Sequence, residues 1–246
     1  MILSTFIARY GFRVQPVSVS PGQLDLLKLL AFLSMVTDHV NKALLHEAYP
    51  AMELLGRFAF PLFAWSFAYT FVHHLRNGKR FVATCLLFAL VTQWPFYQVL
   101  VNHTPGQFRL GSLNILAAFL FAFSINRLWC HKGKLAEMGA YVLFGGGGLL
   151  CLDVSYAWQG IGLLLCCVGL FRTGGALYAV GCVFLLALCL VPNVFMAVPI
   201  LIVLVLFSGI TGFGTGIPRF LPRYSLYIGY AGHVWLLYLL SGRFHW

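Results

Sequence analysis

The stretch LDLLKLLAFLSMVTDHVNKALL, residues 24–45, decides the fold of this chain. It is almost entirely apolar and long enough to cross the hydrocarbon core of a bilayer as a helix. The residues before it, Ser20-Pro-Gly-Gln23, match a capping box with proline at the first helical position. A transmembrane helix is therefore predicted here. It carries Asp38-His39 at membrane depth, where an Asp costs roughly 2.5 to 3.5 kcal/mol.

The composition predicts that the whole chain is a membrane protein. Hydrophobic residues make up 61% of it, charged residues only 9%, and the mean hydropathy is +0.87. A soluble domain has more charge than this. The net charge of +10 is explained better by basic cytoplasmic loops than by nucleic-acid binding. The 7 Cys lack a C-x-x-C motif and lie mostly in apolar runs, so neither a disulfide framework nor a metal site is predicted.

About nine apolar stretches have the character of membrane spans. They cover residues 24–45, 54–73, 81–100, 113–130, 136–152, 159–171, 176–190, 194–210 and 224–241. The sixth is short and the glycine run Gly145–Gly148 interrupts the fifth, so this pair could be re-entrant or broken, leaving seven full spans. Residues 1–19 are predicted to form an interfacial segment, and residues 20–246 a single transmembrane domain. The expected fold is an all-α polytopic helix bundle.

The basic residues orient this bundle. With the N-terminus inside, eleven of the 16 lie in inner segments and two in outer segments, while three lie within or at the ends of spans. Such asymmetry favours an N-inside, C-outside chain with an odd number of spans.

This topology brings polar residues from distant parts of the chain to the outer half of the bundle, as a functional site requires. They are Asp38, His39, Arg57, Gln93, Asn114, Asp153, Ser155 and Tyr156. His233 lies near the middle of the last span. Structural alternatives remain at three positions. Asp38 could be neutralised by Lys42 four residues later, Arg57 could snorkel to the interface, and His233 could be an ordinary core histidine.

Four motifs in order carry a resemblance to a known family. They are Asp38-His39, Gly56-Arg-Phe-Ala-Phe-Pro61, Leu113-Asn114-Ile115, and Ile217-Pro-Arg-Phe-Leu-Pro222 followed by His233. Together, over roughly residues 20–240, the chain resembles the TraX family of conjugative pilin acetylases. The resemblance implies a multi-pass enzyme of the bacterial inner membrane, surrounded by membrane lipid. This acyltransferase would move an acetyl group from acetyl-CoA to the N-terminal amine of a pilin subunit.

The resemblance also implies roles for particular residues. An α-amine must be neutral to attack a thioester, and His39 or His233 could serve as its base. Asp38 would anchor Arg57 or another partner on the second span, or pair with the substrate ammonium. Arg57 would bind a CoA phosphate or the oxyanion, and Asn114 would supply a second donor. Gln93 and Tyr156 are further candidates for binding, Tyr156 on a looser match to the family.

The route of the donor and the class of protein leave alternatives. CoA could reach up from the cytoplasm between helices, past Arg76, Lys79, Arg80, Arg219 or Arg223, or the acetyl group could be relayed on the protein. Direct transfer is expected. The competing hypotheses are a transporter, a pilin assembly factor, and an acyltransferase acting on a lipid or saccharide. A transporter would commonly show internal repeats, and none is evident in the sequence.

Overall fold

The structure is a computed structural model that describes residues 18–101, 112–131, 133–151, 156–191, 193–208 and 211–242. Within these ranges the elements are helices, and no β-strand occurs. They are α1 (Pro21–Ala43), α2 (Pro50–Gly56), α3 (Ala59–His73), α4 (Gly78–Phe96), α5 (Ile115–Cys130), α6 (Lys134–Leu150), α7 (Ala157–Thr173), α8 (Ala176–Cys189), α9 (Ala197–Leu206) and α10 (Ser225–Leu240). A π-helical turn, Tyr97–Val101, continues α4, and a 3₁₀ turn, Val194–Met196, precedes α9.

The helices agree with the predicted apolar stretches. Each stretch coincides with one helix, except that α2 and α3 share the second. The glycine run Gly145–Gly148 lies inside α6 and does not interrupt it. Most of the predicted interfacial segment, residues 1–17, lies outside the described residues, as do Asp153 and Ser155.

The apolar surface of the bundle is compatible with a membrane protein. Among the described residues, one helical stretch, Gly78–Val101, is both long and apolar enough to cross a bilayer. Five shorter apolar helical stretches accompany it. Large apolar side chains such as Leu90, Leu135 and Val142 are exposed, which in water would be costly. The count of nine spans and the N-inside orientation stay predictions.

Hydrogen bonds join the start of α1 to the segment that precedes α10. The predicted capping box is present, because Ser20 Oγ accepts from the Gln23 N–H at 3.2 Å and Gln23 Oε1 accepts from the Ser20 N–H at 2.7 Å. One turn on, the buried Asp25 accepts the backbone N–H groups of Phe220 and Leu221 at 3.0 and 2.9 Å. These bonds fix the Arg219-containing segment beside α1.

Helix α1 lies between α3 and α10, and α4 packs against α10 from the other side. Pro95 in α4 has no N–H, so the Val91 carbonyl loses its helical donor. The Trp235 indole of α10 donates to that carbonyl at 3.2 Å instead. The π-helical turn follows directly, and turns of this kind often occur at functional sites. Here the irregular end of α4 places the Phe96 ring 6.4 Å from that of His39.

The glycine run offers a matched test of helix packing. A Cβ added at Gly148 would lie 2.2 Å from the Trp158 ring, whereas one added at Gly145 meets nothing within 4 Å. Gly148→Ala is therefore expected to destabilise the fold by roughly 1 to 3 kcal/mol through overpacking. Gly145→Ala is expected to stabilise it by up to about 1 kcal/mol, because alanine favours helix. Thermal unfolding of the two variants in one detergent measures both, and equal melting temperatures would contradict this packing.

Candidate functional site

Two histidines predicted separately meet at the centre of the site. His39 lies on α1 and His233 on α10, and His39 Nδ1 is 2.9 Å from His233 Nε2. The two rings stack with their centroids 5.1 Å apart. Both side chains are partly buried. The structure thus joins residues 194 positions apart into one hydrogen-bonded pair.

The hydrogen bonds determine which nitrogen of the pair can act as a base. His233 Nδ1 lies 3.1 Å from the Gly229 carbonyl oxygen, which can only accept, so Nδ1 carries the proton. In neutral His233, Nε2 must then accept, and His39 Nδ1 donates to it. This arrangement leaves the lone pair on His39 Nε2, which can take a proton without breaking either bond. Within the pair, His39 Nε2 is therefore the nitrogen that can accept a proton, and His233 orients the His39 ring.

Aromatic rings flank this pair. The Phe32 ring meets His233 edge-on with centroids 5.6 Å apart, and the Tyr230 ring lies 5.5 Å from His233. Phe96 adds a ring on the His39 side. Phe32 and Tyr230 also line a large cavity.

That cavity, which we call the donor cavity, has a volume of about 540 Å³ and lies among α1, α3, α4, α5 and α10. Phe32, Met35 and Tyr230 line it toward the histidine pair. Basic side chains line its other end, namely Lys28, Arg76, Arg80, Arg219 and Arg223. Four of the five residues predicted at a CoA entrance are among them, while Lys79 is not. Lys28 was missed, because its position near a helix end suggests snorkelling equally well.

The charge of the donor cavity is strongly positive. Among the described residues, Asp25 is the one acidic residue that lines it, and that carboxylate accepts the Phe220 and Leu221 N–H groups. The pKa of His74 is lowered, mainly by partial burial and also by nearby His73 and basic residues. His74 is therefore largely neutral near pH 7. Such a cavity is suited to an anion with an apolar extension.

Two further features of the donor cavity favour a polar ligand. The guanidinium groups of Arg80 and Arg223 lie 5.9 and 5.4 Å from the Tyr224 ring centroid, which gathers two cations at one place. Deeper in, the Thr70 hydroxyl is buried and has no hydrogen-bond partner among the described residues. A buried hydroxyl in a cavity is a ready donor to a ligand.

A second polar group, the ion-pair layer, lies beyond the histidine pair and consists of Asp38, Lys42, Glu53, Arg57 and Tyr156. Lys42 Nζ is 2.7 Å from Asp38 Oδ2, and Arg57 is paired with Glu53. The expected anchoring of Arg57 by Asp38 is therefore not what the structure shows. The Glu53 partner was missed, although its spacing of four residues from Arg57 is readable in the sequence.

Arg57 is only partly satisfied by its neighbours. Its Nε atom is buried without an acceptor among the described residues, and its guanidinium lies beside the Tyr156 phenol. Tyr156 has the left-handed φ of 58°, an uncommon conformation that costs energy. Burial raises the pKa of the Tyr156 phenol although Arg57 opposes this, so the phenol stays protonated and can donate.

Asn114 and Gln93 connect helices in the structure. Asn114 is fully buried, and its amide donates to the Ala89 carbonyl at 2.8 Å and to Thr92 Oγ1 at 3.2 Å. Its Oδ1 caps α5 by accepting the Leu116 N–H. Gln93 Oε1 accepts the Asn114 N–H at 3.1 Å, and its amide donates to the Ser112 carbonyl at 2.9 Å. Their observed contacts hold α4 against α5, and their predicted role in ligand binding stays a prediction.

The fold and site define a helical protein in which a basic cavity shares two aromatic lining residues with a partly buried histidine pair. The chain belongs to the TraX family, since the TraX protein family model matches residues 23–241. This confirms the resemblance found in the sequence motifs.

Two curated relatives support the assignment. Protein TraX of Escherichia coli is 29% identical over 242 residues, covering 90% of this chain and 88% of the relative. Protein TraX of Escherichia coli strain K12 is 30% identical over 165 residues, covering 62% of this chain. That second match spans 63% of the relative's length, which is just under two thirds. No solved structure matches the chain.

Proposed function

We propose that this chain is a multi-pass acetyltransferase of the bacterial inner membrane, which moves an acetyl group from acetyl-CoA to the N-terminal amine of a conjugative pilin subunit. One observation carries the proposal: the donor cavity runs from a cluster of cations to the aromatic wall of the histidine pair. The family resemblance supplies the acceptor and the donor.

The residues of the donor cavity fit acetyl-CoA. Lys28, Arg80, Arg219 and Arg223 would hold its phosphates, and the Thr70 hydroxyl would meet its polar arm. Lys28 and His39 are eleven residues apart on α1, or roughly 16 Å along the helix axis, a length that an extended pantetheine arm can cover. The bound donor supplies an acetyl thioester.

The histidine pair supplies the base. His39 Nε2 takes the proton from the attacking amine nitrogen while the new C–N bond replaces the C–S bond, and the His39 imidazolium then gives that proton to the departing sulfur. The amine of a pilin N-terminus has a pKa near 7.7 to 8.0, so a neutral imidazole is a suitable acceptor. His233 holds the ring of His39 in one orientation throughout. Arg57, whose Nε has no acceptor among the described residues, and the protonated Tyr156 phenol beside it would bind the acceptor peptide or the oxyanion.

We propose direct transfer, since a relay through His233 is disfavoured because both nitrogens of His233 already make hydrogen bonds. A histidine in that state has no free lone pair for attack on the acetyl group. Isolation of an acetyl-enzyme after exposure to acetyl-CoA alone would overturn this part of the proposal.

Intact mass spectrometry of a co-expressed pilin tests the activity. With the wild-type chain, the pilin is expected to gain one acetyl group on its N-terminal amine. With Arg57→Ala the yield should fall about 10²-fold or more if its donors stabilise the oxyanion. Pilin that stays unmodified but is still held in the membrane by the wild-type chain would indicate an assembly factor and refute the proposal.

A further inference from the structure

A second, smaller pocket adjoins the donor cavity and shares Phe71, Leu75 and Arg76 with it, while its other lining residues have no role in the proposed transfer. Its volume is about 230 Å³, and it lies at the ends of α3, α5 and α7 beside the start of α4. Arg76, Arg127 and Arg172 line it, with Phe71, Leu75 and Phe123 as apolar lining residues. We call it the triple-arginine pocket.

The charge of this pocket is not balanced by the protein. None of the described residues that line it is acidic. In the described ranges, the ion pairs are Asp38–Lys42 and Glu53–Arg57, and both belong to the ion-pair layer. Three guanidinium groups around one small space repel each other, and an anion in that space would offset the repulsion.

One of the arginines is already held in place. Arg172 Nη2 donates to Asn126 Oδ1 at 3.0 Å, Nη1 lies 3.4 Å from Cys130 Sγ, and the guanidinium packs 6.0 Å from the Phe71 ring centroid. A guanidinium fixed in this way loses little side-chain entropy when it binds a phosphate with two parallel hydrogen bonds. Arg76 and Arg127 remain exposed and accessible from the surface.

The surroundings of the pocket match the headgroup level of a bilayer. Trp129, two residues after Arg127, is 47% exposed, as in the aromatic belts at membrane interfaces. On the adjoining α6, Leu135 and Met138 are also exposed, and they offer an apolar surface for acyl chains. Basic pockets between transmembrane helices on the cytoplasmic side commonly bind anionic headgroups.

We propose that the triple-arginine pocket binds the phosphate group of an anionic phospholipid in the surrounding membrane. The proposal rests on the membrane setting of the proposed function and is independent of acetyl transfer. Its test therefore needs neither acetyl-CoA nor pilin.

Native mass spectrometry of the purified full-length chain in detergent provides the test, with phosphatidylglycerol and phosphatidylcholine of the same acyl chains as probes. The wild-type chain is expected to retain phosphatidylglycerol preferentially. Arg127→Gln/Arg172→Gln should weaken that binding by about thirtyfold, from two lost basic contacts. The matched control Lys79→Gln/Lys134→Gln removes the same charge from exposed residues that do not line the pocket, and should bind as the wild type does.

A single variant and two contrary outcomes complete the test. The Arg127 side chain makes no hydrogen bond or ion pair with the residues that the structure describes, so Arg127→Gln alone is expected to preserve the fold and should still weaken lipid binding. Equal loss in the pocket variant and the control would mean general surface attraction and overturn the proposal. Arginine-dependent binding of inorganic phosphate alone, with no lipid preference, would identify free phosphate as the ligand and overturn the lipid assignment.

Discussion

Replacing His39 with alanine is expected to lower the rate of acetyl transfer by about 10²- to 10⁴-fold, the usual contribution of a general base. The reason is that the other three ring nitrogens of the pair are engaged, one with the Gly229 carbonyl and two in the His39–His233 bond. Only His39 Nε2 keeps a free lone pair. The KM for acetyl-CoA should change little, because His39 is not among the residues that line the donor cavity. Rates measured with purified enzyme and a pilin N-terminal peptide separate the two quantities.

His233→Gln should cost less than His39→Ala, because it removes an orienting partner and leaves the base. The matched control is His73→Ala, an exposed histidine at the end of α3 that lines neither cavity. It should transfer at the wild-type rate. Normal acetylation by His39→Ala would show that the base is elsewhere, and a larger loss in His233→Gln would reverse the roles within the pair.

Removing charge from the donor cavity should act on donor binding. Arg219→Gln/Arg223→Gln is expected to raise the KM for acetyl-CoA by about 10²-fold or more, because hydrogen bonds to charged groups contribute roughly 1.5 to 3 kcal/mol each and two are removed. The kcat should stay near the wild-type value, since both residues line the basic end of the cavity, away from the histidine pair.

Comparing two donors sharpens this second test. Acetyl-pantetheine carries the same thioester without the phosphates of CoA, so the double variant should use it as well as the wild type does. Lys79→Gln is the matched control, because Lys79 lies one residue from Arg80 yet does not line the cavity. An equal rise in KM for both donors would show that the arginines shape the cavity and do not bind phosphate.

The local structure followed from local sequence signals. The capping box at Ser20 is present as predicted. The structure also contains the pairing of Asp38 with Lys42, which was one of the interpretations of that carboxylate. Both involve residues three or four positions apart, which helical geometry alone brings together. The Glu53–Arg57 pair has the same spacing and could have been predicted in the same way.

The hydrogen-bond partners of Asn114 and Gln93 could not be predicted from the sequence. Asn114 was predicted to bind a ligand from the family resemblance, and Gln93 from its position among the polar residues of the outer half. Polar side chains in apolar surroundings need partners. In the structure those partners are backbone and side-chain atoms of α4 and α5. The sequence predicts that a buried amide will be satisfied, but only the packing of two helices shows whether protein or ligand satisfies it.

By itself, the sequence determined the apolar helices, the family, and the candidate histidines and arginines, because periodicity, hydropathy and short motifs are local properties. Only the tertiary structure decided that His39 and His233 share a hydrogen bond, that four of the five suspected basic residues line one cavity, and that three arginines surround another. Those facts depend on the rotation and depth of each helix against its neighbours. Side-chain packing across the bundle sets both, and no single helix encodes them.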